Sequence, residues 1–253
     1  MRFCILASGS KGNSLWVEHG GQAVIVDNGL SLKEFKKRAE SVGLCLSAAK
    51  NLVISHEHTD HVRGVGPLAR KLGLVVHVSK PTAEAGAYYL AKTNLKYFEP
   101  GEVLDFGALT VKTFTSSHDC ADPSVFVFEC HNARLGLATD LGVGTTLIKQ
   151  EFLKLTALIL EFNHDLQMLL DGPYPYWLKQ RVRSRLGHLS NEQASEMLSE
   201  IYHNDLKQVV LAHLSEVNNT PNLAQAAAQK VLQNRPTSLA VAGQWTPTEV
   251  FEL

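Results

Sequence analysis

The hexapeptide HEHTDH, His56 to His61, gathers three imidazoles and the Asp60 carboxylate within six residues. It follows the apolar run Leu52-Val53-Ile54-Ser55, which reads as a buried strand. Neutral imidazole and carboxylate are the usual ligands of zinc and its neighbours, and such residues gain little by packing at a strand end. A solvated histidine-rich loop is the competing reading and would win for one stray histidine. For HxHxDH directly after a strand, metal binding is the better account.

Asp27, His118, Asp140, Glu161 and His213 share the placement of His56: each lies at, or just after, the end of an expected apolar strand. Strand ends gathered at one sheet edge would bring these groups into one cleft. Taken singly, each is an ordinary hydrogen-bonded histidine or a turn residue. Their joint occurrence argues for a site.

The elements that must position them follow from periodicity and turn chemistry. Strands are expected at Arg2 to Ala7, from Leu15, at Gln22 to Val26, at Leu74 to Val78, near Leu95, and at Leu109 to Thr115 and Ser124 to Cys130. The second half repeats the rhythm with strands at Arg134 to Ala138, Ala157 to Leu160, Gln208 to Ala212 and Leu239 to Ala242. Helices are expected over Ser31 to Val42, Val65 to Leu72 with a Gly73 cap, Thr82 to Lys92, Thr145 to Leu155 and Asn222 to Gln233. Ser190 and Gln193 form a capping-box signature ahead of the stripe Ala194, Met197, Leu198 and Ile201. The Gly/Ser turn from Ala7 to Ser14 leads into a strand, so it is as readily a plain connector as a part of the site; Asn13 within it is a candidate substrate contact. Strands in runs with helices interspersed argue for stacked sheets with helices packed outside.

The 253 residues, 45% hydrophobic and 19% charged, have the composition of a soluble globular chain, and one domain is expected. The balance of 24 Lys+Arg against 25 Asp+Glu leaves no global field to draw the chain to nucleic acid or membrane, so any such affinity is local. The N-terminal apolar stretch is too short for a signal peptide, and no run reaches the length of a membrane span. Cys4, Cys45, Cys120 and Cys130 lack CxxC spacing, which fits reduced thiols and a cytoplasmic protein; Cys120, two residues after His118, reads as a small filler more readily than as a ligand.

Asp27, HEHTDH, His118, Asp140 and His213, in this order and at these separations, resemble the signature motifs of the metallo-β-lactamase fold superfamily over nearly the whole chain. The resemblance implies an α/β (α+β) fold, a four-layer αββα sandwich of two similar halves with a metal cleft at one edge. It implies that His56, His58 and His118 hold one divalent ion, that Asp60, His61 and His213 hold a second, that Asp140 bridges them, and that Asp27 orients ligands from behind. Two ions about 3.5 to 4 Å apart lower the pKa of a shared water and stabilise developing negative charge. Donors without thiolate fit Zn, Mn or Fe.

LEFNHD (Leu160 to Asp165) and GHLSNEQASEML (Gly187 to Leu198) are similar to the phosphodiesterase branch that includes ribonuclease Z, which makes Glu161 and His188 a matching catalytic pair beside Asp60. The branch's usual His-Glu-Ala-Thr order is absent, so His164 remains a rival to Glu161. His188 also stands just before a capped helix start, where free backbone N–H groups favour an anion, and could touch a phosphate or protonate a leaving alkoxide. Between these stretches, residues 172–187 form a basic helical insert: Leu178, Val182 and Leu186 recur one turn apart, flanked by Lys179, Arg181, Arg183 and Arg185, with Tyr174, Tyr176 and Trp177 ahead. Basic residues beside aromatics suit a nucleic-acid strand, although a wet helix face with snorkelling cations looks the same.

From ASGSKGN through HEHTDHVRGVG and NHD to GPYP and GHLSN, the chain most resembles the YycJ-like exonuclease family of this fold. That resemblance implies a metal-dependent phosphodiesterase acting on nucleic acid, a DNA 5′-exonuclease. The alternatives are a small-molecule hydrolase acting on a thioester, lactone or cyclic phosphodiester, and a regulatory protein with structural metal.

Overall fold

The computed structural model describes residues 1–131 and 133–253. One seven-stranded sheet is built from β1 (Arg2–Ala7), β2 (Ser14–His19), β3 (Gln22–Val26), β4 (Ala49–Val53), β5 (Val75–Ser79) and β6 (Asn94–Phe98), closed by the last strand of the chain, β14 (Phe251–Glu252), in the order β14-β1-β2-β3-β4-β5-β6. The other has the order β13-β12-β11-β10-β9-β8-β7, from β7 (Val103–Asp105), β8 (Thr110–Thr115), β9 (Ser124–Cys130), β10 (Ala133–Ala138), β11 (Ala157–Glu161), β12 (Gln208–Ala212) and β13 (Ser238–Val241). Strands β3 to β6 run parallel, as do β10 to β13. Their carboxyl ends therefore collect along one edge, the usual place for a site in parallel sheets.

Strand alternation explains the layering. In β9, Phe126 and Phe128 face the first sheet, where they meet Phe3, Ile5, Val24 and Val26, while Val125 and Val127 point outward. In β3, Val24 and Val26 point inward and Ala23 and Ile25 outward. The outer face of the first sheet is covered by α1 (Leu32–Ser41) through Phe35 and Ala39 and by α3 (Val65–Leu72) through Leu68 and Ala69. The outer face of the second sheet is covered by α6 (Thr146–Phe152), α9 (Asn191–Ile201) and α10 (Pro221–Leu232), through Phe152, Met197, Leu198 and Ala228. Three apolar layers between four layers of structure are an αββα sandwich.

Shorter helices complete the chain: α2 (Thr59–Val62), α4 (Lys80–Ala85), α5 (Ala87–Leu90), α7 (Leu166–Asp171) and α8 (Tyr176–Val182). The single helix expected from Thr82 to Lys92 is two, because Gly86 lies between α4 and α5 as cap of both. The basic helix stops earlier than its leucine spacing implies. Arg183 ends α8, and Leu186, expected on its stripe, lies in the following turn and is exposed. β7 and β14, three and two residues long, were too short to carry a periodic signal. Among the described residues no helix is long and apolar enough to cross a membrane.

Candidate metal centre

The parallel strand ends deliver the donors. Asp27 follows β3, Asp140 lies two residues past β10, and His213 follows β12; these three hold positive φ values of 54°, 56° and 55°. Non-glycine residues rarely adopt this left-handed conformation, which costs on the order of 1–3 kcal/mol and persists where the surroundings impose it. Here it turns Asp140 and His213 off their strands into one cleft and Asp27 beneath the HEHTDH segment.

The HEHTDH segment is pinned from below. Asp27 Oδ1 accepts from the Ser55 backbone N–H at 2.8 Å, and its Oδ2 accepts from Ser55 Oγ at 2.6 Å and from His61 Nδ1 at 2.8 Å. His56 Nδ1 reaches Ser55 Oγ at 2.9 Å. The asparagine of the Gly/Ser turn joins in: Asn13 donates to Asp60 Oδ2 at 3.1 Å, and its backbone N–H to the Asp60 carbonyl at 2.8 Å. Asn13, expected as a substrate contact, is buried and braces Asp60 and His61. Gly29 lies so close beneath this turn that a Cβ there would come within 1.9 Å of the Asp60 carbonyl oxygen.

On the other side, His118 Nδ1 donates to the Gly187 carbonyl at 3.0 Å, and His213 Nδ1 to Glu161 Oε1 at 2.8 Å. With the outer nitrogens of His56, His61, His118 and His213 occupied, each Nε2 is left to face inward, the arrangement that orients imidazole toward a metal. His58 turns Nδ1 inward, 3.1 Å from His56 Nε2 and 3.3 Å from His118 Nε2. His61 Nε2 lies 3.2 Å from Asp140 Oδ2 and 3.5 Å from Asp60 Oδ2, and His213 Nε2 3.6 Å from Asp60 Oδ2.

These donors converge in groups whose ligand atoms all lie within 4.8 Å of one another: His56, His58 and His118; His56, His61 and Asp140; and Asp60, His61 and His213. Two buried members, Asp140 Oδ2 and His213 Nε2, make no well-formed hydrogen bond among the described residues, although His61 Nε2 and Asp60 Oδ2 stand near them. Such orphaned atoms are costly in a dry site, and a shared cation would satisfy both. The electrostatics agree. Burial works against charge on His213, yet Asp140, Asp60 and Glu161 raise its pKa to about 10; burial is likewise outweighed at His61, where Asp140, Asp60 and Asp27 draw it well above the usual imidazole value. Against the same opposition from burial, His213 and His61 hold Asp140 well below the carboxylate range. The pocket demands positive charge, and divalent metal fits its donor set.

Glu161 is wholly buried, and its carboxylate accepts from five groups. Oε1 takes His188 Nδ1 and His213 Nδ1, each at 2.8 Å, together with the Asp140 N–H, and Oε2 takes the N–H groups of Leu141 and Leu189. Burial raises its pKa, but His188 and His213 bring it down to about 2. His164, its rival from sequence, is fully buried with both ring nitrogens unpartnered and does not line the cleft; burial lowers it to about 4. Gly187 sets the approach to His188, since a Cβ on it would come within 2.1 Å of the Val182 carbonyl oxygen.

The cleft over the donors measures about 410 Å³ and is lined by His58, Asp60, His118, Asp140, His188 and His213, joined by Ser10, Glu57, Thr59 and Arg181. Of the four cations expected to bind substrate, only Arg181 lines it, clasped by the Asp119 carboxylate. Lys179 donates to the Leu170 carbonyl at 2.6 Å, and Arg183 and Arg185 are exposed outside the cleft. Cys120 belongs to none of the donor groups, and burial holds its thiol far above the usual range. Ser10 and Asp119 were not anticipated. Their only signals were membership of the glycine-rich turn for Ser10 and adjacency to His118 for Asp119.

A family model described as the Metallo-beta-lactamase superfamily matches residues 7–158. The chain is 35% identical over 238 residues to "Exodeoxyribonuclease YycJ" of Bacillus anthracis, covering 93% of this chain and 90% of that protein. It is also 35% identical over 228 residues to "Exodeoxyribonuclease WalJ" of Streptococcus pneumoniae, covering 88% and 85%. The crystal structure of the metallo-beta-lactamase fold protein YhfI from Bacillus subtilis superposes with a TM-score of 0.74 at 16% identity, over 98% of this chain and 99% of that one, a likeness of fold. The chain belongs to the metallo-beta-lactamase superfamily and, within it, to the family of YycJ and WalJ.

Proposed function

We propose that this metal-dependent hydrolase is a dinuclear phosphodiesterase acting on nucleic acid, an exonuclease that degrades DNA from the 5′ end. The observation that carries the reading is Glu161 Oε1 shared at 2.8 Å by two imidazoles with different outlooks. His213 turns its other nitrogen toward the donor cluster, while His188, with 18% of its side chain exposed, turns toward the cleft. A single buried carboxylate thus ties a ligand-bearing histidine to a proton-donating one, as cleavage of an ester with a poor alkoxide leaving group requires.

On this reading His56, His58, His118 and Asp140 would hold one ion, and Asp60, His61, His213 and Asp140 the other. Zn, Mn or Fe bound there would supply Lewis acidity and an activated water. The residues do the rest. Asp27 and Glu161 fix the imidazole orientations, Arg181 meets a phosphate oxygen from the cleft wall, and His188 gives its proton to the leaving oxygen as the P–O bond breaks. Residues 1–253 act as one domain in which 172–187 form a basic rim. The names of YycJ and WalJ support DNA as the substrate. A cytoplasmic setting fits free thiols at Cys4, Cys45, Cys120 and Cys130.

The test is to incubate protein reconstituted with Zn, Mn or Fe with single- and double-stranded DNA and RNA labelled at either end, beside bis(p-nitrophenyl) phosphate and a thioester. Stepwise loss from 5′ ends of DNA is expected. Turnover of the thioester with every oligonucleotide intact would overturn the reading.

A further inference from the structure

Trp245 is 62% exposed, yet its orientation is fixed. Its indole N–H donates to Glu216 Oε1 at 2.7 Å, and Lys11 Nζ sits 4.9 Å from its ring centroid while pairing with Glu216 Oε2 at 2.7 Å. The loop beneath it is anchored as firmly. The neighbouring side chain, Gln244, is buried; it accepts from the Lys11 N–H at 2.8 Å and donates to the Gly12 carbonyl at 2.9 Å, and its own carbonyl takes the buried Arg38 guanidinium at 2.8 Å.

The partners of Trp245 adjoin, in the chain, residues that line the metal cleft. Lys11 follows Ser10, which lines the cleft, and Glu216 lies three residues past His213, which lines it too. Arg181 stands beside His118 and His188, in the same cleft. An exposed indole gains nothing from packing, and holding it rigid by two charged neighbours serves no core. A rigid aromatic face beside a cation is what a nucleic-acid strand uses, because every base has a face to stack and every nucleotide a phosphate to neutralise.

We propose that Trp245 is a stacking platform for a base of the strand that crosses the cleft, with Lys11 meeting the phosphate on the same side. This rests on the nuclease reading and names the residue that positions the strand. The interaction is indifferent to sequence, which suits an enzyme that must advance along any DNA end. Tyr176 and Trp177, 77% and 66% exposed, have no comparable bracing and are not part of the platform.

The experiment compares wild type, Trp245→Ala and Trp245→Phe on a single-stranded DNA oligonucleotide and on the same oligonucleotide with abasic residues at its terminal positions. Stacking of about 1–3 kcal/mol corresponds to a rise in KM of about 5- to 150-fold for the alanine variant on base-bearing DNA, with kcat much less affected. Phenylalanine should restore most of the loss, and the abasic substrate should give the same KM with all three proteins. In a Trp177→Phe background, an uncleavable phosphorothioate oligonucleotide should quench fluorescence that disappears with Trp245→Ala. Equal KM values for alanine variant and wild type on base-bearing DNA overturn the platform. Absence of both cleavage and quenching with wild type overturns the nuclease reading, and the platform falls with it.

Discussion

At the scale of single residues, the centre is organised by what stands behind the donors. Asp27 and Glu161 each accept from imidazole Nδ1 and from backbone N–H, so the ring orientations are set without help from any ion. Such partners matter nearly as much as ligands. His188 shares Glu161 but looks into the cleft, and this separates its role from that of a ligand by experiment. His188→Ala is expected to lose about 10²–10⁴-fold in kcat on DNA, whose leaving alkoxide needs a proton. It should lose far less on bis(p-nitrophenyl) phosphate, whose phenolate leaves without one, and metal analysis should find the ion content unaltered. Asp140→Ala should fail on both substrates and lose metal. Equal losses for His188→Ala on the two esters would remove it from the proton-transfer role.

At the scale of elements, the capping box of α9 and the placement of His77 carry separate expectations. Ser190 accepts from the Gln193 N–H and Gln193 returns a bond to the Ser190 N–H. Ser190→Ala should cost about 1 kcal/mol of stability in urea. His77 lies in β5, buried between the sheets edge-on to Phe106 with Nε2 2.9 Å from Asn51 Oδ1. Burial, aided by the nearby Lys96 charge, lowers its pKa to about 4 from the usual 6.5. The unfolded chain therefore binds the extra proton first. The ring's contribution to stability is whole above pH 6.5 and drains away as pH falls toward 4, by about 2 kcal/mol between pH 7 and 5. Urea unfolding at those two pH values should show a smaller acid loss in His77→Gln than in wild type; identical losses would refute the assignment.

The same elements show what could be read from sequence. Short continuous apolar runs bounded by turn residues, or a complete capping signature, mark β1, β3, β12 and α9 nearly to the residue, and the polar residues that end such runs are among those the fold brings close together. β7 and β14 are shorter than one full alternation of a half-buried pattern, and they exist because neighbouring strands offer free edges. Glu161 and His164 could not be ranked, because two polar residues after one apolar run look alike until the fold buries one beside His188 and isolates the other. Trp245 had no signal either, since an exposed aromatic in a loop belongs to no period.

At the scale of the whole molecule, the donors come from both sheets. The HEHTDH segment follows β4, with Asp27 behind it at the end of β3, whereas His118, Asp140 and His213 follow β8, β10 and β12 of the other sheet. Ions held among them would cross-link the two halves at one edge, where Asp140 Oδ2 and His213 Nε2 are buried without a well-formed hydrogen bond among the described residues. Anything that binds only the folded form adds RT ln(1 + [L]/Kd), about 2.7 kcal/mol for one ion at a hundred times its dissociation constant. For a chain of this size each kcal/mol moves Tm by about 2–4 °C, so stripping one ion held that tightly should lower it by about 5–10 °C. Hydrogen exchange should locate the loss: on chelation, protection should fall at the ends of β3, β4, β10 and β12 together, while α1 and α10 on the outer faces change little. If a fully stripped protein, verified by metal analysis, melted where the loaded one does, the ions would not join the sheets. The activity of the centre would then be independent of the architecture that gathers it, which the convergence of two sheets on one cluster argues against.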